Sequence, residues 1–347
     1  MSRNGNRKLR VGIVGAGGIV RSRHLPALLK RSDVEVAAVS NSTYESSEKF
    51  VRELVPHATP IGNWPDLVAL PDLDIVWIGT PPYLHSAVTV SALEAGKHVF
   101  CQARMAMDRA EAEEMLAASR RFPSQMTMLC PPPYGMRGDN VIKKMLAEKY
   151  LGDIHTIRLQ SANGNYLDRD APAHWRQRIE LSGLNVMTFG IYVEVLQRWF
   201  GDIAGLFARG KTITPDRDGY DVLVPDSLQV LCQFEQGAEG VLEFSGIHAL
   251  ETGDRLEVFG TLGTLIYDFT ADKIRAGRIG DRGLHEVKVS KEEAREWTVE
   301  DDFIDAVKSG TDDRPRPTFE DGVSYMRVVQ AVADSRSRNA WVDIDRV

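Results

Sequence analysis

The chain has 347 residues, 43% of them hydrophobic and 26% charged, and its 42 basic and 49 acidic side chains leave a net charge of -7. That length suits two domains of ordinary globular composition. The acidic balance, with no basic block, excludes nucleic acid or an anionic membrane surface as the main partner. No apolar run reaches membrane-spanning length and the start lacks a signal-peptide core, so a cytoplasmic location is expected. Cys101, Cys130 and Cys232 are too few and too scattered for a disulfide framework or a zinc site, and no metal is expected.

The first segment, Leu9 to Val14, is an apolar run that breaks into Gly15-Ala16-Gly17-Gly18. A buried strand ending in such a turn, followed by a helical pattern, is a nucleotide-binding opening. Gly15 takes unusual dihedrals, Gly17 lets a pyrophosphate approach the backbone, and the helix that follows points its first amides at the phosphates. The third position of the glycine fingerprint is Val20 rather than Gly or Ala. A second strand, Val34 to Val39, follows at the βαβ distance and ends in Ser40-Asn41-Ser42-Thr43. A carboxylate there would hold the ribose of NAD and repel the extra phosphate of NADP. These four polar residues carry no such repulsion, and no Arg adjoins them. NADP or NAD is therefore the expected cofactor, with a lean to NADP, and a turn touching only the adenosine edge is the competing reading.

Further on, a helix is predicted over 44–55 and a short strand over 58–61. A strand over 74–79 ends at Thr80-Pro81-Pro82, where two prolines stop ladder and helix alike. A helix from Leu84 to Ala95 closes on Gly96, and a strand over 98–101 follows. Asp108 caps a helix to about Arg121, and Gln125 to Cys130 is a sixth strand. This alternation predicts a doubly wound parallel sheet whose strand C-termini line one crevice, at Gly15, Ser40, Thr80, Gln102 and Pro131.

From about Asp153 the pattern changes to short strands joined by Gly and Asp turns: 154–160, 227–234, 240–244, 255–259 and 263–268. One long helix, Ser182 to Phe200, interrupts them, and helices near 292–308 and 320–338 end the chain. The predicted fold is thus α/β: a Rossmann domain over 1–130, then an α+β substrate and oligomerisation domain over 131–347 with a large open, mainly antiparallel sheet. Its C-terminal helix is allowed to pack back on the first domain. The open face favours a homodimer or homotetramer.

Four ordered motifs combine: Gly12-Ile13-Val14-Gly15-Ala16-Gly17-Gly18-Ile19, His24-Leu25-Pro26-Ala27-Leu28, Thr80-Pro81-Pro82-Tyr83-Leu84-His85, and Ala92-Leu93-Glu94-Ala95-Gly96-Lys97-His98-Val99. Together the chain closely resembles the glucose-fructose oxidoreductase, inositol dehydrogenase and rhizopine-catabolism (Gfo/Idh/MocA) family over nearly its whole length. The resemblance implies a bound nicotinamide dinucleotide, homo-oligomers and sugar-like or cyclic polyol substrates. It also implies where the chemistry departs. The family's Glu-Lys-Pro is replaced by Gln102-Ala103-Arg104, and the usual helix Asp and His by Thr188 and Tyr192, which as helical residues share a face with Asn185.

The cofactor candidates are Gly15, Gly17, Gly18, Ile19, Ser40, Asn41, Ser42, Thr80, Pro81, His85 and Gln102, with His85 lining the dinucleotide cleft and His24 packing or capping. Tyr192 is a candidate acid or base if a cation such as Arg104 lowers its phenol pKa, and His174 is a candidate because imidazole titrates near neutrality. Tyr134, Trp175, Arg176 and Thr188 are candidates for a substrate wall. Arg176 suits a carboxylate, a phosphate or sugar hydroxyls, and Trp175 offers a flat face. The expected function is an NAD(P)-dependent oxidoreductase acting on a carbohydrate-like small molecule with an atypical catalytic set. The alternatives are redox-neutral, cofactor-assisted elimination, epimerisation or glycoside cleavage, and a non-catalytic dinucleotide or sugar sensor.

Overall fold

A computed structural model of the protein describes residues 7–250, 253–311 and 314–345. The chain folds as two compact units. The first runs to Pro131 and is joined by Thr298–Val323; the second holds Pro132–Trp297 and the segment from Ser324 onward. A boundary at 130 falls at the end of the first unit's N-terminal segment, and the return of 298–323 is added to it. No described helix is long and apolar enough to cross a membrane.

The first unit is built on six parallel strands: β1 (Leu9–Val14), β2 (Val34–Ser40), β3 (Thr59–Ile61), β4 (Ile75–Ile78), β5 (His98–Cys101) and β6 (Thr127–Leu129). Their order, β3-β2-β1-β4-β5-β6, reverses direction of growth at β1, as a doubly wound sheet does. The central strands are apolar on both faces, and Ile75, Val76, Trp77 and Ile78 are all fully buried. Trp77 stacks on Phe100 at 3.8 Å, and Phe303 from the returning helix, Val299–Ser309, meets both rings edge-on. The helix after β1 opens with a π-type turn over Val20–His24 before its α-helical part, Leu25–Lys30.

The second unit carries β7 (Ile154–Ala162), β8 (Ile203–Lys211), the small β9 (Asp216–Arg217) and β10 (Tyr220–Asp221) pair, β11 (Ser227–Phe234), β12 (Glu239–Ser245), β13 (Gly253–Gly260), β14 (Gly263–Asp268), β15 (Lys273–Arg278), β16 (His285–Val287) and β17 (Val342–Asp343). Nine of these form one sheet, β16-β15-β14-β13-β7-β12-β11-β8-β17. Every neighbouring pair is antiparallel except β7 with β12, which run parallel. Strict alternation along β11, with Leu228, Val230, Cys232 and Phe234 buried and the residues between them exposed, marks a sheet with one core face and one open face.

Two predicted helices are corrected. The segment 182–200 is not one helix: a short turn, Ile179–Ser182, stops at Gly183 (φ 61), Met187 also has positive φ (44), and the true helix is Phe189–Phe200. Asn185 therefore shares no helix face with Tyr192, and Thr188 is the residue before the first turn. Likewise, the helix placed at 292–308 begins only at Val299. The helix Asp139–Ala147 went unpredicted because its apolar stripe is brief, Val141, Ile142 and Met145; β8 was missed because Gly205, Ala208 and Gly210 break its pattern.

Asp139, 1% exposed, opens that helix and ties the second unit together. Its carboxylate accepts from Trp199 Nε1 at 2.7 Å and Lys143 Nζ at 2.8 Å, and Arg198 and Arg295 approach at 3.3 and 3.4 Å. Burial alone would raise its pKa, but Arg198, Lys143 and the Trp199 hydrogen bond outweigh it and hold the carboxyl below the usual range. A depressed native pKa gives stability that is present above the unfolded-state value and lost as pH falls through the folded one. Asp139→Ala, which strands these cations, is expected to cost about 3–5 kcal/mol in urea unfolding. Asp139→Asn is expected to show a flatter loss of stability between about pH 5 and pH 3 than the parent; an unchanged acid limb would contradict this account.

Candidate functional site

In the first unit the glycine turn is set by contact rather than by hydrogen bonding alone. Gly15 sits at φ 84, and a Cβ on it would lie 2.7 Å from the Thr80 nitrogen and 2.4 Å from the Thr80 methyl. Gly79 is equally constrained, since its Cβ would fall 2.4 Å from the Gly15 carbonyl oxygen. Gly17 and Gly18, by contrast, face open space with nothing within 4 Å, at the start of the helical segment. Bare backbone beside open space at a helix N-terminus fits a pyrophosphate. Ser40 Oγ and Thr80 Oγ1 flank this turn as buried hydroxyls without a hydrogen-bond partner among the described residues. These features fit a nicotinamide dinucleotide laid across Gly15, Gly17, Gly18 and Thr80.

The polar turn after β2 has mostly structural work. Asn41 Oδ1 accepts the Ala16 N–H at 2.7 Å and its amide donates to the Ser46 carbonyl, so it buttresses the glycine turn. Thr43 caps the Tyr44–Leu54 helix, and Ser40 is 1% exposed. Of the four residues, Ser42 remains as an exposed side chain with no such task. Ile19 is exposed at 41%, and Pro81 is half-buried.

Three first-unit residues stand differently from expectation. His85 does not line the cleft surface: it is fully buried, with Nδ1 2.9 Å from the Arg104 carbonyl and Nε2 2.8 Å from the Thr80 carbonyl. Burial pushes its pKa below the ordinary value, against the pull of those carbonyls. It acts by fixing the Thr80 loop. Arg104 is 1% exposed, so its guanidinium is a packed interior group and not a cation presented to solvent. Gln102 is 8% exposed and its amide donates to His24 Nε2, while His24 Nδ1 faces the buried Glu300 carboxylate. Sequence reasoning missed this Gln102–His24–Glu300 chain because Glu300 lies 276 positions from His24.

The second unit holds a pocket of about 470 Å³. It brings together four of the expected residues, Tyr134, His174, Arg176 and Thr188, and adds Ser161, Asn163, Asn165, Tyr166, Met187 and Ser245. Trp175 supports it from the side, with the Arg176 guanidinium 4.1 Å over its ring. Ser161 is the penultimate residue of β7 and Ser245 the last of its parallel neighbour β12, and Ser161 occupies an inward position where alternation calls for an apolar residue. That break was the available signal.

Tyr192 lies under this wall. It is fully buried, stacked 5.0 Å from Tyr134, and its hydroxyl donates to Asp254. Burial, then the Asp254 carboxylate, push the phenol far above its ordinary pKa, the opposite of activation by a cation. His174 is exposed, and its Nδ1 accepts the Arg176 backbone N–H at 3.2 Å while Gln177 returns a bond to the His174 N–H. Burial of the ring, then the nearby Arg176 charge, lower its pKa. With Nδ1 committed as an acceptor, the neutral ring carries its proton on Nε2. Among the described residues no group of three or more His, Cys, Asp or Glu is placed to hold a metal ion.

Comparison with known proteins agrees with this architecture. The profile of an oxidoreductase family with an NAD-binding Rossmann fold, Gfo/Idh/MocA, matches residues 9–128, and the profile of the Gfo/Idh/MocA C-terminal domain matches 140–266. The chain is 22% identical to levoglucosan dehydrogenase of Pseudarthrobacter phenanthrenivorans and 24% identical to myo-inositol 2-dehydrogenase of Thermotoga maritima, in each case over 98% of this chain and 99% of the relative. Among solved structures, an NAD binding oxidoreductase from Klebsiella pneumoniae superposes with a TM-score of 0.82 at 25% identity, covering 98% of this chain and all of the other. A levoglucosan dehydrogenase complex with NADH superposes at 0.83 and 20% identity, with the same coverage. The glycine turn clasped against Thr80, the β3-β2-β1-β4-β5-β6 order and two matching profiles lead to one conclusion: the chain belongs to the Gfo/Idh/MocA family of NAD-binding oxidoreductases.

Proposed function

We propose that the protein reduces the carbonyl of a sugar-like or cyclic keto substrate, and runs the reverse oxidation of the polyol, with the substrate held in the second unit's pocket. The dinucleotide supplies or accepts the hydride. The observation that carries the direction is the His174 tautomer: an imidazole whose Nδ1 is occupied offers Nε2–H, a donor suited to a carbonyl oxygen gaining negative charge. Because the ring pKa is lowered, that neutral donor persists through physiological pH. Ala103, at the family's lysine position, has no acid-base capacity, so the pocket's share is hydrogen-bond stabilisation of the oxyanion by His174 Nε2–H, while the proton that completes the alcohol comes from solvent water in reduction and returns to it in oxidation. Tyr192, bonded to Asp254, positions the Tyr134 wall from behind and does not exchange the proton.

For the nucleotide, the turn after β2 presents neither a carboxylate nor an arginine at 40–43, and Asn41 is spent on Ala16. The lean to NADP is therefore weakened into little discrimination: one hydroxyl, Ser42, neither repels nor neutralises a 2′-phosphate. The reading includes a homo-oligomer formed through the open face of the sheet, where Leu231 (52% exposed) and Val241 (44%) stand directly opposite each other on β11 and β12.

These assignments lead to measurable outcomes. Isothermal titration is expected to give Kd values for NADH and NADPH within about tenfold of each other, and Gly15→Ala, forced into positive φ against Thr80, is expected to weaken both by at least about tenfold. Steady-state reduction over a keto-sugar panel is expected to fall by about 10²–10³ in kcat for His174→Ala, with partial rescue by His174→Gln, which keeps a donor. In the same assay Tyr192→Phe stays within about tenfold of the parent, and kcat is flat from about pH 7 to 8.5, above the lowered His174 pKa. No turnover with either nucleotide across the panel would defeat the reading. Light scattering is expected to show a dimer or tetramer that Leu231→Glu dissociates, whereas a monomeric parent would remove the oligomer from it.

A further inference from the structure

The pocket contains a cation that no carboxylate of the described residues neutralises. Arg176 makes no ion pair with a carboxylate among the described residues, and the groups of opposite sign that act on it are the phenols of Tyr166 and Tyr134. Neighbouring arginines of the same unit are provided for: Arg198 has Asp139, Arg178 has Glu180, and the buried Arg217 donates to the carbonyls of Tyr166 and Asp168. None of the side chains lining the pocket is an Asp or Glu. Burial depresses the Arg176 pKa, the mark of a guanidinium removed from water without a compensating anion.

The geometry is prepared for a planar anion. Arg176 sits in the short 3-10 turn Trp175–Gln177, which is closed at both ends by His174 and Gln177, and its guanidinium lies over the Trp175 ring. Contact with the ring restrains the guanidinium, whose N–H groups suit a bidentate acceptor. The remaining lining, Ser161, Asn163, Asn165 and Thr188, is neutral and offers donors and acceptors for hydroxyls. His174, held toward its neutral form partly by Arg176 itself, adds no second charge. One fixed positive charge matches a carboxylate, whereas a dianionic phosphate calls for more.

We infer that the substrate is an acidic sugar or polyol, one end carrying a carboxylate that pairs with Arg176 while the hydroxyl-bearing chain lies along Asn163, Asn165, Ser161 and Thr188. This rests on the proposed function, because it names the substrate class of that same pocket.

The test uses the full-length protein with saturating NADH and matched ligands differing at one carbon: D-glucuronate against D-glucose, D-galacturonate against D-galactose, with D-glucose 6-phosphate as the phosphate arm. Calorimetric titration is expected to show at least one uronate binding about tenfold or more tighter than its neutral partner, an advantage that shrinks as salt rises from about 20 to about 200 mM. Arg176→Gln is expected to abolish that advantage, and Arg176→Lys is expected to keep part of it. Equal or better binding of both neutral sugars, an advantage that survives in Arg176→Gln, or a preference for the sugar phosphate overturns the inference. The unmodified protein alone decides the first and third of these, so a poorly folding variant leaves the inference exposed to refutation. Absorbance of reduced nicotinamide separates the two claims: acid preference without turnover defeats the oxidoreductase reading, and turnover of neutral sugars without acid preference defeats this one.

Discussion

The first unit depends on one close approach of backbone. Gly15 and Gly79 end adjacent parallel strands, and at each of them the space for a Cβ is already filled, by Thr80 at the first and by the Gly15 carbonyl at the second. Because no side chain fits between them, the two turns are held at backbone distance, and Gly17 and Gly18 are left facing solvent at the start of the helix. The neighbouring groups reinforce that arrangement. Asn41 pins Ala16 from the β2 side, and the buried His85 ring lies between the Thr80 and Arg104 carbonyls, donating to one of them when neutral. Two residues that read in the sequence as cofactor ligands, Asn41 and His85, thus serve to hold this backbone surface in place.

The second unit solves a different problem, that of placing polar groups on the core face of a sheet. β7 and β12 run parallel at its centre, and their ends, Ser161 and Ser245, open the apolar layer where the pocket begins. The aromatic cluster of Tyr134, Tyr192, Phe244 and Phe269 backs this opening. Tyr192 belongs to that backing, and its hydroxyl is satisfied by Asp254 rather than directed at a reactant. Beside this backing, the short 3-10 helix Trp175–Gln177 and its capping residue His174 place an imidazole and the Arg176 guanidinium next to each other.

The legible part of the fold is the part written in local sequence. The apolar runs of β1, β2, β4 and β5, the Thr80-Pro81-Pro82 stop and the Gly96 cap each act within a few residues, and each was placed from residue type alone. The helix over 182–200 is shorter than its apolar pattern suggests because Gly183 and Met187 take positive φ, which a right-handed helix does not admit, so that it starts only at Phe189. The pocket was half legible: His174, Arg176, Thr188 and Tyr134 stand out as chemistry-bearing residues, whereas Asn163 and Asn165, a residue type common in any turn, give no separate signal.

The sequence by itself determined the strand-turn-helix order of the first unit and the glycine turn that follows β1, because these are properties of single positions or short spacings. Tertiary structure alone decided which polar side chains are spent and which are offered. Asn41 and His85 are consumed by backbone groups, Tyr192 by Asp254, and Arg104 by burial, while Arg176 has no carboxylate beside it among the described residues. The physical reason is that a side chain's chemistry is set by its partners and its exposure to water, and those partners arrive from strands and helices far away along the chain.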